Sequence, residues 1–218
     1  SYNISICIIS LIIEFTLLLF RFLNYFVLFI SINFLWFNCV GQEVIVDSDG
    51  NPYNTIEIGN QVWMAKNLNA KYYPNGNEIV SFCYNHDTTY CNNYGRLYPW
   101  SSIVGGVNND SLLNICPMGW HVPTDKEWDI LMDTLGGIVY AGIKLRKGTK
   151  TNFHFQWGGN YQPALDVFSF IDRKTYYWSS TEYNSTSAWM RMTGFNTKNI
   201  NRSTVPKEFA FSIRCVMD

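Results

Sequence analysis

Residues 116–128, with the sequence CPMGWHVPTDKEW, constrain the fold most, because they predict where a helix begins. Thr124 is followed three residues later by Glu127, the spacing of a capping box, in which each side chain bonds the other residue's backbone N–H. Apolar residues then recur at helical intervals from Trp128 to Leu135, and two glycines follow as a left-handed stop. The pattern predicts a helix over 125–135 whose apolar stripe packs into the core.

Residues 1–41 form a separate, strongly apolar segment. Its only charges are Glu14 and Arg21, and Arg21 precedes an apolar run that ends in small residues. That order is typical of a secretory signal peptide cleaved near residue 41. Each apolar block also approaches the length that spans a bilayer, so an uncleaved signal anchor is a second hypothesis. A lipid-modified Cys39 is the third, and all three predict export of residues 42–218 as one domain.

The charge balance of the exported part excludes one class of partner. Residues 42–218 contain 15 Lys and Arg against 16 Asp and Glu, without a long basic run. Nucleic-acid binding requires clustered cations, so no nucleic-acid partner is expected. The densest basic stretch, residues 144–150, predicts a solvated helix end. We expect contact with a membrane only through the N-terminal segment.

Four cysteines lie in the exported part: Cys83, Cys91, Cys116 and Cys215. An even number in an exported chain favours disulfides over metal or thiol chemistry, and four cysteines allow three pairings. Cys83 and Cys91 are separated by seven residues of a Tyr- and Asn-rich loop, close enough to form a bridge within it.

A set of short motifs carries a family resemblance. They are DSDGNPY at 47–53, IGNQVWM at 58–64, YGRLYPW at 94–100, CPMGWHVP at 116–123, WSST at 178–181 and IRCV at 213–216. In these motifs the sequence resembles the Fibrobacter succinogenes major paralogous domain over about 43–217. The resemblance implies a domain of secreted and surface proteins, with a disulfide between Cys116 and Cys215. The match is weak over 153–168, where little beyond Gly158-Gly159 and Tyr161 survives, and we expect divergent loops there.

Residues 119–128 are also similar to a segment of formylglycine-generating-enzyme-like domains. That similarity implies an α+β, C-type-lectin-like domain with short antiparallel strands, one or two helices and long loops held by disulfides. Alternation and turn residues predict strands over 43–46, 53–58, 61–65 and 94–100, a polar loop over 102–114 and a second helix over 137–146. Further strands near Trp178 and over 188–192 and 209–216 are expected to form one small sheet.

The turn at residues 47–51 contains two aspartates, which raises the question of calcium. A full calcium loop needs a carboxylate near its twelfth position, where this sequence has Ile58. The stretch therefore predicts turn chemistry. A structural calcium ion is not supported by a complete motif, and no other cofactor is expected.

No residue pattern predicts catalysis. His86, His121 and His154 are isolated from one another and from any cysteine pair with metal spacing, and no known nucleophile or phosphate-loop motif occurs. The hydroxyls of residues 179–181 are expected to bond backbone groups. The chain is therefore expected not to be an enzyme.

Aromatic residues give the remaining functional hint, because aromatic faces stack on sugar rings while Glu and Arg bond sugar hydroxyls. The candidates near the divergent loops are Trp157, Tyr161, Trp178, Glu182 and Arg191. They predict a non-catalytic, secreted or cell-envelope binding or adhesion module whose partner is a polysaccharide or a surface protein. The alternatives are an oxidase of the formylglycine-generating type and a purely structural envelope component.

Overall fold

The structure is a computed structural model and describes residues 44–103, 114–146 and 148–218. These residues belong to the compact unit Gln42–Asp218. The hypotheses for residues 1–41, including the lipid-modified Cys39, lie outside the described residues, as does most of the predicted loop over 102–114. No helix of the described part is long and apolar enough to cross a membrane.

Short strands and helices alternate along the described residues. In chain order the strands are β1 Val44–Val46, β2 Pro52–Ile58, β3 Gln61–Met64, β4 Tyr98–Pro99, β5 Trp120–His121, β6 Asn160–Gln162, β7 Val167–Ser169, β8 Lys174–Glu182, β9 Ser187–Gly194, β10 Asn201–Pro206, β11 Ala210–Phe211 and β12 Val216–Met217. The helices are α1 Thr88–Tyr94, α2 Trp100–Ile103, α3 Asp125–Thr134 and α4 Ile138–Lys144, with 3-10 turns at Tyr84–His86 and Pro163–Leu165. The structure is mixed α and β as predicted, but it has four described α-helices where one or two were expected.

The described strands form three sheets, in which neighbouring strands run antiparallel. Their orders are β1-β2-β3-β12-β5, β10-β9-β8 and β4-β11-β6-β7. Residues 210–217 contribute to all three: β11 and β12 belong to different sheets, and Ser212 between them forms a parallel bridge with Tyr177 of β8. This segment therefore joins the sheets to one another.

Helix α3 confirms the predicted capping box and its stop. The Thr124 hydroxyl accepts the backbone N–H of Glu127, and a Glu127 carboxylate oxygen accepts the backbone N–H of Thr124 at 2.7 Å. Gly136 and Gly137 follow with φ of +87° and +95°, left-handed values that favour glycine.

The apolar stripe of α3 lies in the core, as the sequence predicts. Trp128, Leu131 and Met132 are buried, and the Trp128 ring lies 4.9 Å from that of Trp63 in β3. Burying one large apolar side chain contributes about 2–3 kcal/mol. This contact positions α3 against the five-stranded sheet.

The prediction of one strand over 94–100 is wrong. Helix α1 ends at Tyr94, β4 spans only two residues, and α2 begins at Trp100, inside the stretch expected to be strand. Asp87 begins α1 by accepting the backbone N–H of Thr89 at 2.8 Å. The sequence of α1, TTYCNNY, has no apolar stripe, so hydrophobic periodicity does not reveal it.

The third strand of the β8–β9 sheet also differs from the prediction. Residues 209–216 do not form it, because β11 and β12 pair within the other two sheets. The neighbour of β9 is β10, with Arg202 opposite Arg191. Its sequence, NRSTVP, is polar and mostly exposed, as suits an edge strand, and it lacks the apolar alternation used to predict strands.

Both predicted disulfides are present, Cys83–Cys91 and Cys116–Cys215. The second closes a loop with a sequence separation of 99, which in the chain-entropy model stabilises the fold by about 4–5 kcal/mol. The first closes a separation of 8, for about 2–3 kcal/mol. The long-range bridge joins the segment before α3 to the segment before β12.

Arg214 lies fully buried between β11 and β12 without an acidic partner among the described residues. Its guanidinium donates to Asn67 Oδ1 at 2.7 Å and to the Phe153 carbonyl at 2.7 Å, and its Cζ lies 4.4 Å from the centre of the Phe153 ring. Further oxygens of Met64, His154 and Tyr177 lie within 3.3 Å. Burial lowers the pKa of Arg214 below its ordinary value. Neutral oxygens and an aromatic face therefore replace the water that this cation loses.

We predict that Arg214→Met lowers the free energy of unfolding by at least about 3 kcal/mol, because it removes the guanidinium donors from the buried carbonyls and from Asn67, whose Oδ1 keeps the Tyr177 hydroxyl. Urea unfolding with the disulfides intact measures the change. Lys126→Met, at an exposed position of α3, is the control and is expected to stay within about 0.5 kcal/mol of the unmodified protein. An Arg214→Met protein as stable as the control variant would contradict the role given to this contact.

His121 lies between two carboxylates. Its Nε2 is 2.8 Å from Glu127 Oε1 and its Nδ1 is 2.6 Å from Asp218 Oδ1. The hydrogen bond with Glu127 raises the pKa of His121 above its ordinary value, against the opposing effect of partial burial, and the bond with Asp218 raises it further. The same Glu127 closes the capping box of α3. The charge of His121 is therefore coupled to the start of that helix.

We predict that stability falls as the pH rises above about 6.5. The folded pKa of His121 is raised, so its contribution is fully present below the unfolded pKa and is lost as the pH rises through the folded pKa. Urea unfolding at a series of pH values tests this, and His121→Gln is expected to flatten the dependence. Identical slopes for both proteins would show that His121 is not the group responsible.

Candidate functional site

Two of the predicted ligand residues, Trp178 and Arg191, lie in the interior. Trp178 is 0% exposed, and its indole N–H donates to the Tyr98 carbonyl at 2.8 Å. Arg191 is 1% exposed. Neither side chain reaches the surface, so neither contacts a ligand in this structure.

Arg191 instead belongs to a buried ion-pair network. Its guanidinium bonds a carboxylate oxygen of Asp125, the first residue of α3, and donates to Asp129 Oδ1 at 2.7 Å. Arg202 of β10 donates to Asp125 Oδ2 at 2.6 Å, and its Cζ lies 3.3 Å from the centre of the Trp189 ring. Partial burial raises the pKa of Asp125, but the bonds from Arg202 and Arg191 outweigh it, and the net pKa is lowered. The network attaches α3 to β9 and β10.

We predict that Asp125→Asn lowers the free energy of unfolding at pH 7 by about 3 kcal/mol, since it leaves the buried Arg191 cation without its main countercharge. Asp129→Asn is the matched control, because the Asp129 side chain is 53% exposed, and should cost less than about 1 kcal/mol. Thermal or urea unfolding compares the two. Equal costs would argue against a structural role for Arg191.

Two of the hydroxyls that follow Trp178 bond backbone groups, which confirms the prediction for Ser179 and Thr181. Ser179 Oγ accepts the backbone N–H of Thr181 at 3.0 Å, and Thr181 Oγ1 accepts that of Asp125 at 3.0 Å. Thr181 thereby satisfies a free N–H in the first turn of α3.

The other three candidates lie in different surroundings, Glu182 exposed, Trp157 half-buried and Tyr161 buried. Glu182 pairs with Lys207, and the half-buried Trp157 meets the edge of Phe195 with ring centres 6.5 Å apart. Tyr161 is 5% exposed, but its hydroxyl donates to the exposed Asp166 at 2.9 Å. The five candidates therefore do not form one site, and only Tyr161 leads to a cluster of exposed functional groups.

That cluster is built from two loops. The first is residues 83–94, closed by the Cys83–Cys91 disulfide, and the second is residues 161–172, which includes the β6–β7 hairpin. We name it the His86–Asp166 surface. It consists of Tyr94, His86, Asp166, Phe170 and Asp172, supported by Tyr161 and Phe168.

Aromatic packing holds the two loops together. Tyr161 and Phe168 are paired across β6 and β7 and stack with their centres 4.0 Å apart and planes 15° apart. The His86 ring stands edge-on to both, at 5.8 Å and 5.0 Å. His86 Nε2 also lies 3.2 Å from Asp166 Oδ1. Hydrogen bonding from Tyr161 and then from His86 lowers the pKa of Asp166, so this carboxylate is charged at neutral pH.

A second tyrosine–aspartate pair lies at the other end of the surface. The Tyr94 hydroxyl donates to Asp172 Oδ1, and this bond raises the pKa of Tyr94 to about 12. In both pairs the second carboxylate oxygen bonds none of the described residues. The surface therefore presents two exposed carboxylates, each with an acceptor oxygen directed to solvent.

The backbone of this surface is strained. Five of the seven described non-glycine residues with positive φ occur here: Asn85, His86, Asp166, Phe170 and Asp172, with φ between 51° and 65°. At His86 and Phe170 this conformation costs on the order of 1–2 kcal/mol and persists only where the surroundings impose it, whereas Asn and Asp adopt it more readily. Strain of this kind is concentrated at functional sites.

A cleft of about 560 Å³ lies elsewhere, between residues 46–48 and 116–119. Its two carboxylates are already engaged. Asp47 accepts the backbone N–H groups of Asp49 and Asn51 and the Tyr53 hydroxyl, which confirms the predicted turn chemistry, and Asp218 bonds His121. Few polar groups remain free to orient a ligand there.

The remaining acidic and sulfur-containing side chains of the described residues do not form a metal site. In the described residues, no group of three or more His, Cys, Asp or Glu side chains is placed to hold a metal ion. The described cysteines form the two disulfides. The chemistry that the His86–Asp166 surface offers is hydrogen-bond acceptance beside aromatic and apolar faces.

Comparison with known families identifies the domain. The model of the Fibrobacter succinogenes major domain matches residues 56–217, which is most of the chain. The chain belongs to the Fibrobacter succinogenes major domain family. The resemblance drawn from the sequence motifs is confirmed, although DSDGNPY at 47–53 precedes the matched range. The chain has no significant match among curated proteins or among solved structures.

Within this Fibrobacter succinogenes major domain, the sequence-based candidates include none of the five residues that form the surface, Tyr94, His86, Asp166, Phe170 and Asp172, and only Tyr161 of its supporting rings. His86 and Asp166 are 80 residues apart in sequence, and no local pattern pairs them. Two signals did point to the region. They are the short Cys83–Cys91 spacing and the weak family match over 153–168, which includes Tyr161.

Proposed function

We propose that this domain is an exported, non-catalytic binding module that attaches to neutral polysaccharide through the His86–Asp166 surface. The observation that carries the proposal is the pair of exposed carboxylates, Asp166 and Asp172, each oriented by a tyrosine and set among aromatic side chains. The sequence-based candidates Trp178 and Arg191 are not part of this proposal, because both are buried.

The chemistry of the surface fits a polyhydroxylated ligand. Each free carboxylate oxygen accepts a hydrogen bond from a donor such as a sugar hydroxyl, and charge-assisted bonds of this kind are stronger than neutral ones. Phe170 is 44% exposed, and Lys174 Nζ lies 4.4 Å from the centre of its ring. The part of the ring that Lys174 leaves open offers an apolar surface against which the C–H face of a sugar packs. Two carboxylates repel an acidic glycan, so the proposal names neutral polysaccharide.

Export and a C-type-lectin-like fold belong to the same proposal. Two disulfides favour an oxidising compartment, in agreement with the apolar N-terminal segment. Antiparallel sheets with long disulfide-held loops support the lectin-like architecture. The pairing of β12 with β3 supports it too, because it places a strand from the end of the domain beside one near its start.

The oxidase alternative is less well supported. That chemistry requires two reactive thiols to hold copper, whereas Cys83, Cys91, Cys116 and Cys215 are joined in disulfides. A purely structural envelope component remains the competing non-catalytic hypothesis, and ligand binding separates the two.

We predict that the unit Gln42–Asp218 binds at least one neutral polysaccharide on a glycan array. Asp166→Ala and Asp172→Ala are each expected to weaken this binding about tenfold in calorimetry, the effect of losing a charge-assisted hydrogen bond. Asp133→Ala, at an exposed carboxylate of α3, is the matched control and should bind as the unmodified domain does.

Three outcomes would count against the proposal. Absence of binding to every glycan on the array would favour the hypothesis of a purely structural envelope component. Binding that survives both aspartate substitutions would move the site elsewhere. Titration of two free thiols in the purified domain, together with tight Cu(I) binding, would favour the oxidase.

A further inference from the structure

Helix α4 exposes apolar side chains on the face that a surface helix normally keeps polar. Val139, Tyr140 and Ile143 are 56%, 58% and 38% exposed, and Ile138 at its start is 53% exposed. The opposite face carries Ala141 and Gly142, which are buried. Since α4 already packs one side into the core, its outer apolar side requires a separate explanation.

The loop between β9 and β10, which packs against α4, carries a further exposed apolar side chain. Phe195, at the start of the loop, is 59% exposed. The loop packs against α4: Ile200 donates its backbone N–H to the Ile138 carbonyl at 3.0 Å, and a side chain at Gly142 would meet the Lys198 carbonyl at 2.6 Å. We name Ile138, Val139, Tyr140, Ile143 and Phe195 the α4 patch.

Cations accompany the α4 patch, and anions do not. Lys144 is the last residue of the helix, and its ammonium donates to the Leu135 carbonyl at 2.7 Å. Arg146 and Lys150 follow the helix, and Lys198 lies in the β9–β10 loop. Arg146 donates to the Thr197 carbonyl, so the two basic stretches adjoin. Residues 136–150 and 195–199 contain no Asp or Glu, and Asp133 in the last turn of α3 is the nearest acidic residue before them.

We propose that the α4 patch docks on an anionic phospholipid bilayer. Branched apolar side chains and an exposed tyrosine, with lysines and arginine beside them, are the composition of helices that lie in the membrane interface. The apolar side chains enter the headgroup region, while the cations meet lipid phosphates. This inference is independent of the polysaccharide site and gives the domain a second, membrane-facing side.

Charge argues against a second copy of the chain as the occupant. A symmetric dimer through the α4 patch would bring Lys144, Lys150 and Lys198 toward their own counterparts. Like charges brought together without intervening anions are destabilising, whereas an anionic bilayer supplies the missing countercharge.

Vesicle sedimentation tests the proposal with the unit Gln42–Asp218, which contains both disulfides and the three sheets. A cooperative thermal transition first shows that this unit is folded. The expected result is binding to vesicles of phosphatidylglycerol and phosphatidylcholine in equal amounts. Vesicles of phosphatidylcholine alone should bind at least about tenfold more weakly, and added salt should weaken binding to the anionic vesicles.

Substitutions separate the two parts of the surface. Val139→Ser combined with Tyr140→Ser should weaken vesicle binding about tenfold or more, whereas Tyr183→Ser, at a tyrosine 56% exposed elsewhere, should not. Lys150→Glu combined with Lys198→Glu should also weaken it more than about tenfold, with Lys126→Glu in the first turn of α3 as the charge control.

The proposal is overturned by binding that does not depend on phosphatidylglycerol, or by α4 patch variants that bind as well as their controls. It is also overturned if the Val139 and Tyr140 substitutions change the mass in analytical ultracentrifugation and leave vesicle binding intact, which would identify a second copy as the occupant. Loss of polysaccharide binding in the Asp166 variant has no bearing on these results.

Discussion

The buried guanidinium of Arg214 is the interaction on which the rest of the structure depends. A cation in the interior is stable only if every donor finds an acceptor, and the acceptors here come from distant parts of the chain. Asn67, which accepts two of its N–H groups, is 147 residues away. Correct placement of Arg214 therefore requires that β3, the segment near Phe153 and β8 already be in position. This requirement favours one packing arrangement over others of similar apolar content.

The described residues divide into an interior fixed by many long-range contacts and loops that the interior supports. The Cys116–Cys215 disulfide, the capping box and the ion pairs of Asp125 all hold α3 against the sheets. The second disulfide lies outside this group and closes the loop that carries His86. Strained residues persist at the His86–Asp166 surface because the Cys83–Cys91 disulfide and the stacked rings of Tyr161 and Phe168 impose their conformation. The contacts that stabilise the fold and the surface proposed to bind a ligand thus lie in different parts of the chain.

The sequence predicted features whose cause is local. The Thr124–Glu127 spacing, the apolar stripe of α3 and the turn at 47–51 each act over a few residues, and all three are confirmed. Helix α1 was missed because its start depends on one aspartate and a disulfide rather than on periodicity. Arg191 was taken as a surface residue because its countercharge, Asp125, lies 66 residues away. The same distance effect conceals the pairing of His86 with Asp166, so the site is less predictable than the fold.

The participation of residues 210–217 in all three sheets has a consequence for biogenesis. As a polypeptide emerges from the ribosome N-terminus first, no sheet that needs β11 or β12 is complete until nearly all of this sequence has appeared. Most contacts of β3 and β8 with that segment are highly non-local, which slows folding. Such a chain stays extended and translocation-competent for longer than one built of sequential hairpins. An architecture closed by β11 and β12 therefore agrees with the proposed export, in which folding and disulfide formation follow translocation.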